Sequence, residues 1–305
     1  MQENSRIEYL LSESSVANIH VELKKPKGIW LIRFFFSIAS IVSPKWTIKK
    51  AIELFIKPRV RAKHRFQDEL LQSVVRHDLI FEEKTVRIYE WKGGSKKAVL
   101  LHGWESRATA LRNVVPTLKN LGFTVYGIDA PAHGESSGRI TNAKEYGEII
   151  NKAALVFGPF DLALIHSFGG LALSYALVQI PGFNIPKVIM LGQPATTKLA
   201  LKSLYQLLQI KPAIQKGVED IIHEVSGYKV NEFSVANLSR EFKFTKGLLF
   251  HDNRDNLVPV KVALEVVENW KDSKLYITSG LGHYRLIKSK AVLAKIEEWI
   301  KEQEN

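Results

Sequence analysis

No cysteine occurs anywhere in the 305 residues. That excludes disulfides and cysteine metal sites, and nothing in the chain demands an oxidising compartment. A long hydrophobic run is also missing. The longest, residues 28–43, falls short of the about 20 apolar residues that a membrane span needs, and Arg33 interrupts it. There is no internal repeat, no low-complexity tract and no nucleic-acid recognition motif. Acidic residues are scarce in one place. Residues 24–65 hold twelve Lys/Arg against Glu53 alone, so this stretch carries +11 of the net +12 and leaves +1 for everything else. With 46% hydrophobic residues the chain buries a substantial core, as one large domain or two.

What is present divides near residue 66. Residues 1–23 are polar, carry four glutamates and read as a mobile or loosely helical tail. After Pro44, the spacing of Ile48, Ile52 and Phe55 gives one apolar helix face, while Lys45, Lys49, Glu53 and Lys57 recur on another. A basic link, residues 57–65, leads onward. From Thr85 the rhythm becomes strand and helix in turn: strands at 85–90, 98–101, 124–128, 162–165, 187–191, 247–250 and 275–278, and helices at 108–120, 143–156, 171–178, 260–270 and 291–301. Such alternation predicts a mainly parallel, doubly wound α/β sheet covered by helices on both faces. An insertion at about 195–245 separates two strands by far more than an ordinary connection. Helical periodicity at Leu199, Leu204, Leu207 and Leu208, and around Ile221, Ile222 and Val225, predicts a helical cap there. The expected organisation is an N-terminal helical extension, 1–66, and an α/β domain, 67–305.

The chemistry concentrates at strand ends. Leu162-Ala-Leu-Ile165 is a short buried strand, and His166-Ser-Phe-Gly-Gly170 turns from it into a helix. A serine on such a turn stands above the sheet edge, where the first helical amides can meet a developing oxyanion. Ala98-Val-Leu-Leu101 ends in His102-Gly103-Trp104; Gly247-Leu-Leu-Phe250 leads to Asp252 and Asp255; Leu275-Tyr-Ile-Thr278 leads to His283. Open parallel sheets build their sites at those ends. A serine hydroxyl needs a base, and a histidine changes protonation near neutral pH, so Ser167 and His283 are the candidate nucleophile and base. Asp255 or Asp252 is the acid that orients the imidazole.

The order Ser, Asp, His, with His102-Gly-Trp-Glu105 and Asp129-Ala-Pro-Ala-His-Gly-Glu-Ser136, resembles the bacterial α/β-hydrolase superfamily. That superfamily includes esterases, lipases and serine aminopeptidase-like enzymes, and the resemblance is to a subgroup with a basic N-terminal extension. It covers about 80–300 well. It implies an α/β-hydrolase fold and a serine hydrolase that cleaves an ester, thioester or amide through an acyl-enzyme, most simply a carboxylesterase. The Asp-x-x-Val-Pro context of such proteins matches Asp255, leaving Asp252 to shape the turn. The resemblance assigns the oxyanion hole to the backbone N–H groups of Trp104 and Phe168. Epoxide hydrolase and dehalogenase chemistry is disfavoured, because those enzymes carry an aspartate where Ser167 stands. His102, His133 and His166 gather at one sheet edge and three histidines can hold zinc. In the similar enzymes, however, His102 and His166 flank oxyanion elements and organise loops without any metal, so no metal or cofactor is expected, and Asp129 is a loop carboxylate. Two departures matter: Ile165 replaces the usual elbow glycine, and Ala132 stands where many relatives have glycine. A non-catalytic or acyl-transferring protein on the same scaffold is the alternative.

The extension has two leading readings, a segment packed on the core or a basic, aromatic-rich surface for anionic membrane through residues 24–65. No nucleic acid is expected as partner. The charges continue past the apolar run, which itself starts far from residue 1, and this speaks against a cleaved signal peptide. The expected location is cytoplasmic, peripheral at the inner face of the membrane if the second reading holds.

Overall fold

Short runs that are apolar at almost every position become strands buried on both faces, because helices cover each side of the sheet. The structure, a computed structural model, describes residues 6–10, 28–62 and 69–304. Lys24, Lys25, Lys27, Lys63 and Arg65 of the basic stretch lie outside them, as does most of the polar beginning. In chain order come β1 (Ile7–Tyr9), α1 (Ile29–Val42), α2 (Pro44–Ile56), α3 (Glu69–Gln72), β2 (Val75–Phe81), β3 (Lys84–Trp91) and β4 (Lys96–Leu101). A 3-10 turn (Ala108–Val114), α4 (Val115–Asn120), β5 (Phe123–Ile128), α5 (Ala143–Phe157), β6 (Leu162–His166), α6 (Phe168–Gln179) and β7 (Lys187–Leu191) follow. The last part is α7 (Thr197–Leu208), α8 (Pro212–Ser226), α9 (Val235–Leu238), β8 (Lys246–Asp252), α10 (Val260–Asn269), β9 (Ser273–Thr278), α11 (Gly282–Arg285) and α12 (Lys290–Glu302).

The described strands form one nine-stranded sheet in the order β1-β9-β8-β7-β6-β4-β5-β3-β2. It is parallel except that β3 runs antiparallel to its neighbours β2 and β5. Two apolar clusters flank it. One joins α5, α6 and α10 to the sheet through Tyr146, Ile150, Leu173 and Val266. The other joins the turn before α4, α4 itself and α12 through Leu111, Leu118, Ile296 and Trp299. Asn142 caps α5 by accepting from the Glu145 amide at 2.9 Å.

Three features differ from the sequence expectation. Residues 7–9 are not part of a tail but an edge strand: the Leu10 amide donates to the Ile277 carbonyl at 2.8 Å and the Leu275 amide to the Arg6 carbonyl at 2.7 Å. The segment 108–120 is two pieces, because Pro116 lacks the N–H that one continuous helix would require there, and α4 instead places it in the first turn. In the 195–245 insertion, helices do form, but the buried stripe of α8 is Ile214 and Val218, and Val225 is exposed.

The extension and the insertion share a core. Phe36 and Ala51 of α1 and α2 pack with Leu201, Tyr205, Ile214 and Val218 of α7 and α8. The Arg33 guanidinium donates to the Leu207 carbonyl at 2.9 Å, so the charge that interrupts the apolar run turns inward.

Candidate active site

The turn after β6 forces Ser167 into φ 49°, ψ −119°, a region that non-glycine residues enter only under constraint. What constrains it is on either side. The Ser167 amide donates to the Gly192 carbonyl at 3.0 Å, and the Gly170 amide donates back to the Ser167 carbonyl at 2.7 Å. Gly169 is required by close approach: a Cβ there would lie 2.9 Å from the Leu101 carbonyl oxygen and 3.0 Å from that of His102. Gly103 is equally crowded, its Cβ position being 3.1 Å from Ser167 Cβ. Ile165, the departure from the usual elbow, is fully buried between Leu101 of β4 and Met190 of β7 and packs into the core. Ala132 has φ 65°, a left-handed conformation that explains why glycine suits the position.

Three chain-distant side chains meet at this turn. His283 Nε2 lies 3.0 Å from Ser167 Oγ, and its Nδ1 lies 2.6 Å from Asp255 Oδ2. With the proton on Nδ1 donated to the carboxylate, Nε2 is left to accept from the hydroxyl. Asp255 Oδ1 accepts the Leu257 and Val258 amides at 2.8 and 2.9 Å, which fixes the carboxylate. Burial pushes the Asp255 carboxyl up, but the His283 hydrogen bond and charge and the two amides outweigh it and hold it below the usual carboxylate range. Asp252 is elsewhere. It accepts the Thr278 hydroxyl at 2.7 Å and the Gly280 and Leu281 amides at 3.2 and 2.8 Å, so it braces the loop that carries His283.

Phe168 is the first residue of α6, so its amide has no intrahelical partner. Among the described residues the Trp104 amide also makes no hydrogen bond. Their rings meet edge-on at 5.1 Å, and Phe168 stacks at 6.1 Å on the fully buried Tyr146, which backs it from the core.

The surrounding histidines are spent on backbone. His102 Nε2 accepts the Ala130 amide at 3.0 Å and His133 Nε2 the Glu105 amide at 3.0 Å, while their Nδ1–H groups donate to the Gly103 and Pro131 carbonyls. His166 Nε2 donates to the His283 carbonyl at 3.0 Å. Burial, helped by a neighbouring imidazole, pushes His133 down to about 4 and His166 to about 3, so both are neutral linkers. Asp129 accepts the Ala108 and Glu135 amides and the Tyr89 hydroxyl, as a loop carboxylate would.

Sequence reading missed three contributors. His251 accepts the Gln193 amide and donates to the Val258 carbonyl, tying the Asp255 turn to the end of β7; its spacing four residues before Asp255 was the available signal. Tyr284 stands edge-on to His283 at 5.2 Å. Arg59 donates its backbone N–H and guanidinium to Glu105, beside Trp104, and no local pattern announces a pair 46 residues apart.

No protein-family model and no curated protein matches the chain. Solved structures do. The esterase Pf2001 of Pyrococcus furiosus is 22% identical with a TM-score of 0.59, covering 81% of this chain and 99% of that one. Mouse alpha/beta hydrolase domain-containing protein 10 is 17% identical with a TM-score of 0.55, covering 75% of this chain and 98% of its own. The esterase RhEst1 from Rhodococcus sp. ECU1013 is 14% identical with a TM-score of 0.54, covering 75% and 98%. With its strand order, this chain has the α/β-hydrolase fold.

Proposed function

We propose that the protein is a serine hydrolase of carboxylic esters working through an acyl-enzyme. The observation that carries the reading is the Ser167–His283–Asp255 chain, with links of 3.0 and 2.6 Å, at the C-terminal ends of parallel strands. Ser167 Oγ attacks the ester carbonyl as His283 Nε2 takes its proton. Asp255, ionised and buried, holds the imidazole in the tautomer that can accept and then stabilises the imidazolium. The tetrahedral oxyanion takes the Phe168 and Trp104 N–H groups, and collapse expels the alcohol with the proton returned from His283. Water then repeats the sequence on the acyl-enzyme and releases the acid. The partly exposed rings of Trp104 and Phe168 favour an apolar acyl or alcohol group over a charged one. The similar structures named esterases agree with an ester as substrate.

The test is hydrolysis of p-nitrophenyl esters across acyl chain lengths by the wild type and by Ser167→Ala. Turnover that rises with an apolar chain and drops by about 10⁴-fold or more in Ser167→Ala supports the reading. A folded wild type no faster than Ser167→Ala on every ester means that the scaffold is non-catalytic.

A further inference from the structure

Helix α1 has one charge in 14 residues, and that charge is turned toward α7. Its Phe36 stripe packs on the insertion, yet the rest of its surface stays uncovered. Trp30, Phe34, Phe35, Ile38, Ile41 and Val42 are between 48% and 78% exposed. Trp46 of α2 joins the same face, its ring edge-on to Phe35 at 6.2 Å. Soluble monomers rarely expose a contiguous apolar patch of this kind unless something binds it.

Charge decides among the occupants. Lys45 and Lys49 are exposed on α2 beside this face, within the stretch that carries +11. A second copy would bring two strongly basic faces together, which costs affinity. A nucleic acid would leave the aromatic face against phosphate. An anionic lipid surface satisfies both parts: aliphatic and aromatic side chains enter the acyl boundary while lysines stay at the headgroups. At about 1.5 Å per residue α1 is roughly 21 Å long, short of the about 30 Å hydrocarbon core. Among the described residues no helix is long and apolar enough to cross a membrane. The hairpin therefore lies along the interface.

The hairpin is also tied to the candidate site. The Thr141 amide donates to the Ile56 carbonyl at 3.0 Å, and Arg59 grips Glu105 with its backbone N–H at 2.7 Å and its guanidinium at 3.1 and 3.2 Å. Glu105 follows Trp104, whose amide is the proposed oxyanion donor. We infer that the α1–α2 hairpin docks the protein on anionic membrane and presents the site to acyl esters dissolved in that membrane, the substrate part resting on the hydrolase reading.

The full chain carrying Ser167→Ala is sedimented with vesicles of phosphatidylcholine alone or mixed with phosphatidylglycerol, at low and high salt. Binding to the anionic vesicles is expected, reduced about tenfold or more by the pair Lys45→Gln and Lys49→Gln or by high salt. The pair Phe34→Glu and Phe35→Glu, at exposed positions, should reduce it by about 100-fold with the circular dichroism spectrum unchanged. No binding to anionic vesicles at low salt, or binding that neither pair weakens, overturns the proposal. So does a lipid-free dimer that Phe34→Glu and Phe35→Glu dissolve, which would make the face a self-association surface. With Ser167 restored, the aromatic pair should slow a vesicle-embedded ester at least tenfold and leave a short water-soluble ester unchanged. Equal loss on both esters overturns the presentation claim, whereas a wild type inactive on both fails the hydrolase reading and leaves the vesicle result standing.

Discussion

Replacing Asp255 by Asn separates a triad from a coincidence of polar groups. The carboxylate accepts on both oxygens: Oδ1 from the Leu257 and Val258 amides, Oδ2 from His283 at 2.6 Å. In Asp255→Asn the two backbone amides demand an acceptor, so the carboxamide oxygen stays with them and its NH₂ faces His283. Nδ1 must then accept, the proton moves to Nε2, and Nε2 can no longer take one from Ser167. Buried, hydrogen-bonded triads converted in this way lose about 10⁴-fold in kcat, or about 5.4 kcal/mol of transition-state stabilisation at about 1.36 kcal/mol per tenfold. Asp252→Asn is the internal control. Asp252 braces the Gly280–Leu281 turn and does not touch His283, so its replacement should cost about 1–3 kcal/mol of stability and less than about tenfold in kcat. Steady-state ester hydrolysis with urea unfolding of each variant reads both quantities. If Asp252→Asn is the severe lesion and Asp255→Asn the mild one, the assignment of the acid is wrong.

Other consequences follow from the same geometry. Ala132→Gly relieves a φ of 65° and should raise stability by about 1 kcal/mol, read as a higher urea midpoint; a lower midpoint would deny that the turn is strained. Gly169→Ala drives a methyl against the Leu101 and His102 carbonyls at 2.9 and 3.0 Å, so both stability and turnover should fall. The neutral histidines set a pH dependence. Unfolded imidazoles take up protons below about 6.5, whereas His133 and His166 resist until about 4 and 3. Their contribution to stability is therefore fully present above about pH 6.5 and lost as pH falls, down to about 4 for His133 and about 3 for His166, by up to about 1.4 kcal/mol per pH unit for each histidine. A urea midpoint flat across that window would contradict the account.

Much of the fold was legible because buried parallel strands announce themselves as apolar runs. The span 187–191 matches β7 at both ends, and the elbow was legible from turn chemistry at Ser167-Phe-Gly-Gly170. The edge strands were not. β1 is three residues long with Tyr9 exposed, and in β2, Val-Arg-His-Asp-Leu-Ile-Phe, His77 interrupts the apolar face and Ile80 breaks the alternation, so only Leu79 is buried and the pattern is weak. For the site, residue types at strand ends were enough to pick Ser167 and His283 but left Asp255 and Asp252 open, and only the Asp-x-x-Val-Pro context of similar proteins pointed to Asp255; the fold puts His283 within hydrogen-bond reach of Ser167 and Asp255. The supports were hidden because they work through backbone groups. His251 acts on a carbonyl and an amide, Asp252 on a loop, and Arg59 on a carboxylate far away in sequence. The apolar run of α1 told of a surface that must be buried without telling which stripe meets the insertion and which stays open.

The central claim is that Ser167 is an activated nucleophile. A fluorophosphonate, which phosphonylates serines deprotonated by a neighbouring base, tests it in one step when intact mass and peptide mapping are recorded on wild type, Ser167→Ala and His283→Ala. One adduct per wild-type chain, mapped to Ser167, and none on either variant is the expected result. A folded wild type that stays unlabelled, or an adduct on another serine, would contradict it.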